Sequence, residues 1–315
     1  MIPNFVKERE EQGIGFDLYM AGTQNKMCEN YMLEHGYCRL QSQVNDRTNI
    51  KRWVEENNNG GKLFIDSGAY TALTKGKEVD VNEYIQYINA ISDKLYVFAQ
   101  VDYIPRNAQD KTDTGEASWL NYLYMLDKMK EPDKLMPIYH QGESVEILRN
   151  MVEFKKPNGE YVDYIGFGAL AGTGITVPEK QEFFKKCFQV IAESKNPNVK
   201  VHAMGMTSLS LLEMFPFYSA DSTSWIMQGA TGKIITPFGS MDVSDKTKYT
   251  KQHLTNIHED ARVKIETWLE ENGMSLELVL TDYKYRTLCN LIALKYWADN
   301  YKYKGGDIKV RNKLF

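Results

Sequence analysis

The chain has 315 residues, of which 43% are hydrophobic and 25% charged, and its formal net charge is −4. This length allows one large α/β domain or two smaller ones, and the composition excludes a disordered or fibrous chain. The slightly acidic balance excludes a globally basic protein, so any contact with nucleic acid requires a local basic patch.

The cysteines and the lack of long apolar runs indicate the compartment. Cys28, Cys38, Cys187 and Cys289 are scattered without a CxxC pair, so neither a disulfide framework nor a Cys-rich zinc site is expected. No apolar run reaches the about 18 residues of a membrane span, and the N-terminus has no signal-like apolar segment. We expect a soluble cytoplasmic protein, and the abundance of Asn, Lys and Tyr also fits a phage protein acting in the host cytoplasm.

Short apolar runs alternate with amphipathic stretches through most of the chain. The predicted strands lie within residues 15–22, 62–68, 95–105, 135–142, 164–172, 199–206 and 217–225. The predicted helices lie within residues 25–35, 81–94, 117–130, 144–154, 178–194 and 208–215. Apolar strands that alternate with helices and carry no GxGxxG motif predict an α/β fold, a (β/α)8 TIM-like barrel with additional C-terminal helices. The segments 232–238 and 240–245 are candidates for an eighth strand or a hairpin.

Beyond residue 250 the pattern changes to helices within residues 253–273 and 280–303, with apolar positions three and four apart. We therefore predict a barrel domain over 1–250, followed by C-terminal helices and a basic tail over 251–315 that pack on the barrel. The last 15 residues, YKYKGGDIKVRNKLF, hold five Lys or Arg against one Asp. Such a tail is typical of a solvated terminus, and a contact with nucleic acid is the alternative.

Polar and small residues follow the second to the seventh predicted strand, at the strand ends where barrel enzymes carry their chemistry. In chain order these are Asp66, Ser67, Gly68 and Tyr70; Asp102 and Tyr103; His140, Gln141 and Gly142; Gly168, Ala169 and Leu170; His202, Met204 and Gly205; Asp221 and Ser222. An Asp at such a position often only caps the next helix, and the two histidines could be core residues. We expect the three carboxylates to meet at one barrel mouth, however, and two carboxylates that flank one site suit double displacement at an anomeric carbon. The sequence has no HxH or HxxxH pair, so it does not indicate a metal site.

Taken together, the strand-end segments resemble those of a known family. They are Asp66-Ser67-Gly68-Ala69-Tyr70, Asp102 with Pro105, Gln141-Gly142, Tyr164 to Gly172, His202-Ala203-Met204-Gly205 and Ala220-Asp221-Ser222. Across residues 60–230, and in this order, they resemble the base-pocket segments of the tRNA-guanine transglycosylase superfamily.

The resemblance implies a role for each matching residue. Asp221 would be the nucleophile and Asp66 the general acid and base. The residues that would bind the base are Tyr70, Asp102, Gln141, Gly168, Ala169, Leu170 and Met204.

The chain also departs from the family pattern. Ala69 replaces a glycine, Thr71 replaces the usual Gln, and Thr173 stands where bacterial enzymes place a Glu. The family's Cys-x-Cys-x-x-Cys…His zinc motif does not follow Asp221, so the chain is closest in character to the zinc-less DNA 7-deazaguanine transglycosylases of phages and bacteria. The resemblance therefore implies an enzyme that replaces guanine in DNA with a 7-deazaguanine, such as 7-cyano-7-deazaguanine, through a covalent Asp-glycosyl intermediate. No cofactor and no metal are expected.

Other functions and partners stay open at this point. The alternatives are a transglycosylase acting on tRNA, a nucleic-acid glycosidase, a non-catalytic partner subunit, and a generic barrel hydrolase or aldolase. No membrane partner is expected, and homo-oligomerisation is left open. The candidate phosphate contacts, whose charges surface solvation explains equally well, are Arg39, Arg47, Lys51, Arg52, Lys309 and Arg311.

Overall fold

The computed structural model describes residues 2–22, 25–104, 111–168, 175–206 and 208–305. It is a mixed α/β fold around a nine-stranded parallel sheet that nearly closes into a barrel. The strands are β1 (Asp17–Met20), β2 (Arg39–Ser42), β3 (Leu63–Asp66), β4 (Val97–Ala99), β5 (Leu135–Met136), β6 (Ile138–His140), β7 (Tyr164–Gly168), β8 (Lys200–Ala203) and β9 (Ser219–Ser222). The predicted α/β class is confirmed, and the barrel agrees with the predicted TIM-like architecture.

The two edges of the sheet are adjacent in the chain. The strand order is β5-β4-β3-β2-β1-β9-β8-β7-β6, and Pro137 alone separates β5 from β6. Gln100 N–H donates to Met136 O at 3.0 Å on one side, and Gly166 N–H donates to Pro137 O at 2.8 Å on the other. A proline has no N–H for the ladder, which accounts for the break between the two short strands.

Helices surround the outside of the sheet. They are α1 (Asn4–Gln12), α2 (Lys26–Glu34), α3 (Arg47–Glu56), α4 (Ala69–Thr74), α5 (Val81–Ile91), α6 (Lys111–Lys128), α7 (Val145–Glu153), α8 (Val177–Glu193), α9 (Leu209–Met214) and α10 (Ser224–Ala230). One apolar core fills the space between sheet and helices, and a second, around Tyr19, Phe64, Ile138 and Tyr164, fills the barrel interior. The strands are therefore buried on both faces, as their apolar runs predict. Over the described ranges, no helix has both the length and the apolar character needed to cross a membrane.

The strand that the sequence pattern leaves out is β2, which contains Arg39 and Gln41. These polar residues interrupt the apolar run, so the pattern of apolar runs does not predict β2. The segments considered for an eighth strand instead form an antiparallel hairpin outside the barrel sheet, β10 (Lys233–Thr236) and β11 (Gly239–Asp242).

The last described part of the chain is helical, as predicted, with α11 (Glu259–Glu271), α12 (Leu276–Thr281) and α13 (Tyr283–Asp299). Helix α13 packs against β1, α2, α10 and β10. Asn290 of α13 accepts from Ile235 N–H at 2.5 Å and donates to Trp225 O at 3.1 Å and Lys233 O at 3.3 Å. The division of the chain at residue 250 stays a prediction.

Candidate active site

Three aspartates lie where strands of the barrel end. Asp66 is the last residue of β3, Asp221 lies in β9, and Asp102 follows β4 by three residues. Side chains alternate along a strand, so Asp66 faces the same side as Phe64, which belongs to the barrel interior. The charges of Asp102 and Asp221 both raise the pKa of Asp66, so the three carboxylates are near neighbours.

Asp66 has an unusual pKa for an aspartate. The pKa of Asp66 is raised from 3.8 to about 7. Burial is the main cause, and the charges of Asp102 and Asp221 add to it. Gly68 N–H donates a hydrogen bond to Asp66 Oδ2 at 3.0 Å. This bond lowers the pKa of Asp66 in part and holds the carboxyl in place. A group with a pKa near the working pH can both give and take a proton, so Asp66 suits general acid–base catalysis.

The turn after Asp66 requires glycine. Gly68 has a φ of +81°, and a Cβ there would lie 2.6 Å from Val44 Cγ2 and 2.7 Å from Ser42 Oγ. The turn leads directly into α4, whose second residue is Tyr70, and Tyr70 is 55% exposed. Its ring is therefore accessible to a ligand next to Asp66.

His140 links two carboxylates at the same end of the barrel. Its Nε2 lies 2.7 Å from Asp102 Oδ2, and its Nδ1 lies 2.8 Å from Glu143 Oε1. Burial alone would lower the pKa of His140, but the hydrogen bonds to Asp102 and Glu143 outweigh it and raise the pKa to about 10. His140 is therefore an imidazolium at neutral pH. Ser67 Oγ–H donates to the other oxygen of Asp102, at 3.5 Å, so both oxygens of that carboxylate are held.

The end of β7 leaves room for His140. A Cβ on Gly168 would lie 2.7 Å from His140 Cδ2 and 2.9 Å from Ile138 Cγ2, so a larger residue would displace the imidazole. Gly168 O also accepts a hydrogen bond from Gln141 N–H at 3.4 Å. The side-chain oxygen of Gln141 is buried and has no hydrogen-bond partner among the described residues. Its capacity to accept a hydrogen bond is therefore unused within the described part of the chain.

Asp221 is held through one of its two oxygens. Gly205 N–H donates to Asp221 Oδ1 at 2.7 Å, and His202 Nε2 lies 3.2 Å from the same oxygen. Met204, between these two donors in sequence, packs against the apolar interior of the barrel. Asp221 itself is only 6% exposed, so a reacting group must enter the mouth to reach it.

Arg39 is not a surface residue, and its predicted contact with phosphate is wrong. The residue is 0% exposed, and its guanidinium donates to Glu29 Oε1 at 2.8 Å, Gly22 O at 2.6 Å and Met20 O at 2.5 Å. Trp53 Nε1–H donates to the other oxygen of Glu29 at 3.1 Å. Arg39 therefore joins β2 to α2 inside the protein.

The other predicted phosphate contacts lie on α3 or outside the described residues. Lys51 is exposed and lies 3.9 Å from Glu55, and Arg52 pairs with Glu56 at 2.8 Å. Arg47, at the start of the helix, pairs with Glu83. The contact with nucleic acid stays a prediction for these three residues. The predicted site residues that lie outside the described part of the chain are Ala169, Leu170, Lys309 and Arg311.

The sequence pattern does not predict Glu143 or the contact by which His140 holds Asp102. The turn between them, with Gly142 at a φ of +97°, brings residues three apart together. The His-Gln-Gly-Glu order was the only signal, and it predicts no particular partner for the imidazole. Within the ranges that the structure covers, no group of three or more His, Cys, Asp or Glu side chains is arranged to hold a metal ion.

The site therefore combines an acid of near-neutral pKa, two further aspartates and one imidazolium. Such a set can transfer a proton and can stabilise a positive charge that develops on a substrate. Comparison of the chain with protein-family models and with curated proteins finds no match.

Proposed function

We propose that the chain is a base-exchange transglycosylase that replaces guanine in nucleic acid, DNA in preference to tRNA, with a 7-deazaguanine such as 7-cyano-7-deazaguanine. The observation that carries this proposal is the convergence of Asp66, Asp102 and Asp221 at one end of the barrel, with a pKa of about 7 at Asp66. Cleavage of a glycosidic bond passes through an oxocarbenium-like transition state, which neighbouring carboxylates stabilise.

The proposal includes a (β/α)8 architecture. If β5 and β6 are counted as one strand broken at Pro137, eight parallel strands follow one another around the barrel in chain order. The hydrogen bonds at Met136 and Pro137 support this count because they join the segment to β4 and β7. In barrels of this kind the chemistry lies at the carboxyl ends of the strands, where the three aspartates are.

The proposed reaction has two displacements. The target nucleotide leaves its stack and enters the barrel mouth. Asp221 forms a bond to C1′ while the bond from C1′ to N9 breaks, and Asp66 gives its proton to the departing guanine. The incoming 7-deazaguanine then attacks C1′ through N9, Asp66 takes the N9 proton, and the bond to Asp221 breaks. The configuration at C1′ is retained.

The base would be held by groups that surround these two acids. Asp102 would accept from N–H groups of the base, and Gln141, whose backbone N–H donates to Gly168 O, would contact the base with its amide. The buried, unpaired oxygen of Gln141 supports such a contact because a ligand N–H would satisfy it. Tyr70 would stack on the base, a contact worth about 1–3 kcal/mol in nucleic-acid complexes.

The test is incorporation of labelled base into a polymer. We expect the protein to incorporate radiolabelled guanine or 7-cyano-7-deazaguanine into duplex DNA and not into tRNA. Asp221→Asn, which keeps the shape of the side chain, should abolish both incorporation and any covalent complex that survives denaturation. Asp66→Asn should still form the covalent complex while turning over slowly.

Three outcomes would redirect the proposal. Incorporation into tRNA alone would reassign the polymer, and release of free base with an abasic site would show a glycosidase. Full activity of Asp221→Asn would remove Asp221 as the nucleophile.

A further inference from the structure

A chain of polar side chains runs from Asp221 down into the barrel core. His202 Nε2 lies 3.2 Å from Asp221 Oδ1, His202 Nδ1 lies 2.5 Å from Ser219 Oγ, and Ser219 Oγ is hydrogen-bonded to Tyr164 OH. His202 and Ser219 are 0% exposed and Tyr164 is 7% exposed. Strand register builds this chain, because His202 of β8 is paired with Ser219 of β9, and Ser219 and Asp221 face the same side of β9.

The partners determine which atom donates in each bond. Burial raises the pKa of Tyr164 far above its usual value, so its hydroxyl keeps its proton and can donate to Ser219. Ser219 then donates to His202 Nδ1, and His202 Nε2–H donates to the Asp221 carboxylate. If these hydrogen bonds ran in the opposite direction, an unprotonated Nε2 of His202 would lie next to an oxygen of the Asp221 carboxylate with no hydrogen between the two atoms.

Aromatic side chains surround the ring of His202. The ring contacts are edge-to-face with Phe64, Tyr19 and Tyr164, at centroid distances of 5.0, 5.7 and 6.4 Å. Nδ1 accepts a hydrogen bond in this arrangement, which leaves Nε2 as the site of the single proton.

We propose that His202 is a positioning residue for Asp221, held as the Nε2–H tautomer by its hydrogen bonds to Ser219 and Asp221. His202 Nε2–H and Gly205 N–H both donate to Oδ1, so this oxygen is occupied and the carboxylate cannot rotate freely. Oδ2 is then the oxygen that attacks C1′. This last step rests on the proposed function, whereas the tautomer does not.

The same three residue types also form serine-hydrolase triads, but here the order of exposure is reversed. Ser219 is 0% exposed and is bonded on both sides, by Tyr164 and His202, so no substrate reaches its hydroxyl. Of these hydrogen-bonded side chains, Asp221 lies nearest to the mouth of the barrel. The acid is therefore the reacting end and the serine is its support.

The tautomer is tested without any substrate. The chain has five histidines, so ¹⁵N-histidine labelling with long-range ¹H–¹⁵N spectra, and His202→Gln to assign the signal, reads the protonation of each ring nitrogen. We expect His202 to show a protonated Nε2 and a bare Nδ1 at neutral pH. Tyr164→Phe should keep this pattern because Ser219 still donates. Ser219→Ala removes the donor at Nδ1 and should move the ¹⁵N signal of Nδ1, while Nε2 stays protonated because Asp221 still accepts from it. An Nδ1–H or doubly protonated ring in the unmodified protein would overturn the proposal.

The positioning role is tested by the rate at which the covalent complex forms in a single turnover. We expect His202→Leu to slow this step about 10²–10³-fold, as loss of one preorganised donor does elsewhere. His202→Gln, whose amide can donate from the same place, should recover most of the rate, and His258→Leu, on the exposed surface, should not change it. Equal rates for His202→Leu and the unmodified protein would refute the role. If the tautomer is found but no polymer forms the complex, the proposed function fails and the hydrogen-bond chain stands.

Discussion

The raised pKa of Asp66 makes stability depend on pH. The pKa is about 7 in the folded protein against an ordinary 3.8, so the folded state binds this proton more tightly. The stabilisation is complete below 3.8 and is lost as the pH rises through about 7. We expect Asp66→Asn to raise the melting temperature more at pH 8 than at pH 5, measured by circular dichroism.

A matched control separates this effect from a general change in charge. Asp127 is exposed on α6, and Asp127→Asn should leave the melting temperature nearly unchanged at both pH values. A gain for Asp66→Asn that is equal at the two pH values, or larger at pH 5, would contradict the raised pKa.

His140 has the opposite sign of charge, and its contribution to stability changes over a different pH range. Its pKa is about 10 against an ordinary 6.5, so its stabilisation is complete below 6.5 and is lost as the pH rises through about 10. We expect His140→Gln to lower the free energy of unfolding by about 3–5 kcal/mol at pH 7, because it leaves two buried carboxylates without their cation. Urea denaturation measures this difference.

Glu143 supplies the control for His140. The double variant His140→Gln with Glu143→Gln should lose less stability than the sum of the two single losses, because the second change removes one of the unpaired charges. Simple additivity of the two changes would show that the hydrogen bond between Nδ1 and Glu143 Oε1, at 2.8 Å, does not couple them.

At the scale of single elements, β2 depends on an internal ion pair. Arg39 and Glu29 join β2 to α2, and both are buried. We expect Arg39→Met to destabilise the protein by about 3–5 kcal/mol, since Glu29 then stays buried without its cation. Thermal and urea denaturation measure the loss, and Arg39→Met with Glu29→Leu should recover part of it. If Arg39→Met weakened binding to nucleic acid with no loss of stability, the internal role would be wrong.

The strands and helices show what sequence patterns can predict. Apolar strands buried on both faces, such as β3 and β7, are recognisable because burial leaves long apolar runs. β2 is not recognisable, because the partners that neutralise Arg39 lie on α2 and are not adjacent in the sequence.

The candidate site also has a part that sequence patterns predict and a part that they do not. The positions of Asp66, Asp102 and Asp221 follow from strand ends, because parallel strands of a barrel end on one rim. The contacts of His140 and His202 depend on turn geometry and strand register, such as the pairing of His202 with Ser219. Neither can be predicted from residue types alone, and the roles of all these residues stay predictions.

At the scale of the whole molecule, the barrel and the C-terminal helices share contacts. Helix α13 packs on β1, and Asn290 bonds to the backbone of Trp225, Lys233 and Ile235. We expect a chain that ends at residue 250 to lose cooperative thermal unfolding, because these backbone groups and the face of β1 lose their partners. Circular dichroism and limited proteolysis measure this.

Tyr249→Ala is the control, because Tyr249 is 96% exposed and its loss should leave the melting temperature nearly unchanged. A fragment 1–250 with the melting temperature of the full chain would show that the barrel is an independent folding unit.

The position of β1 between β2 and β9 has a consequence for synthesis on the ribosome. Trp225 Nε1–H donates to Ala21 O across 204 positions of sequence, next to the pairing of β1 with β9. At a translation rate of about 5–20 residues per second, β1 emerges roughly 10–40 s before β9. During that interval one edge of β1 has no partner strand, and such an edge is a site for pairing with other chains. A nascent chain arrested before residue 219 therefore keeps this edge of β1 open to pairing with other chains.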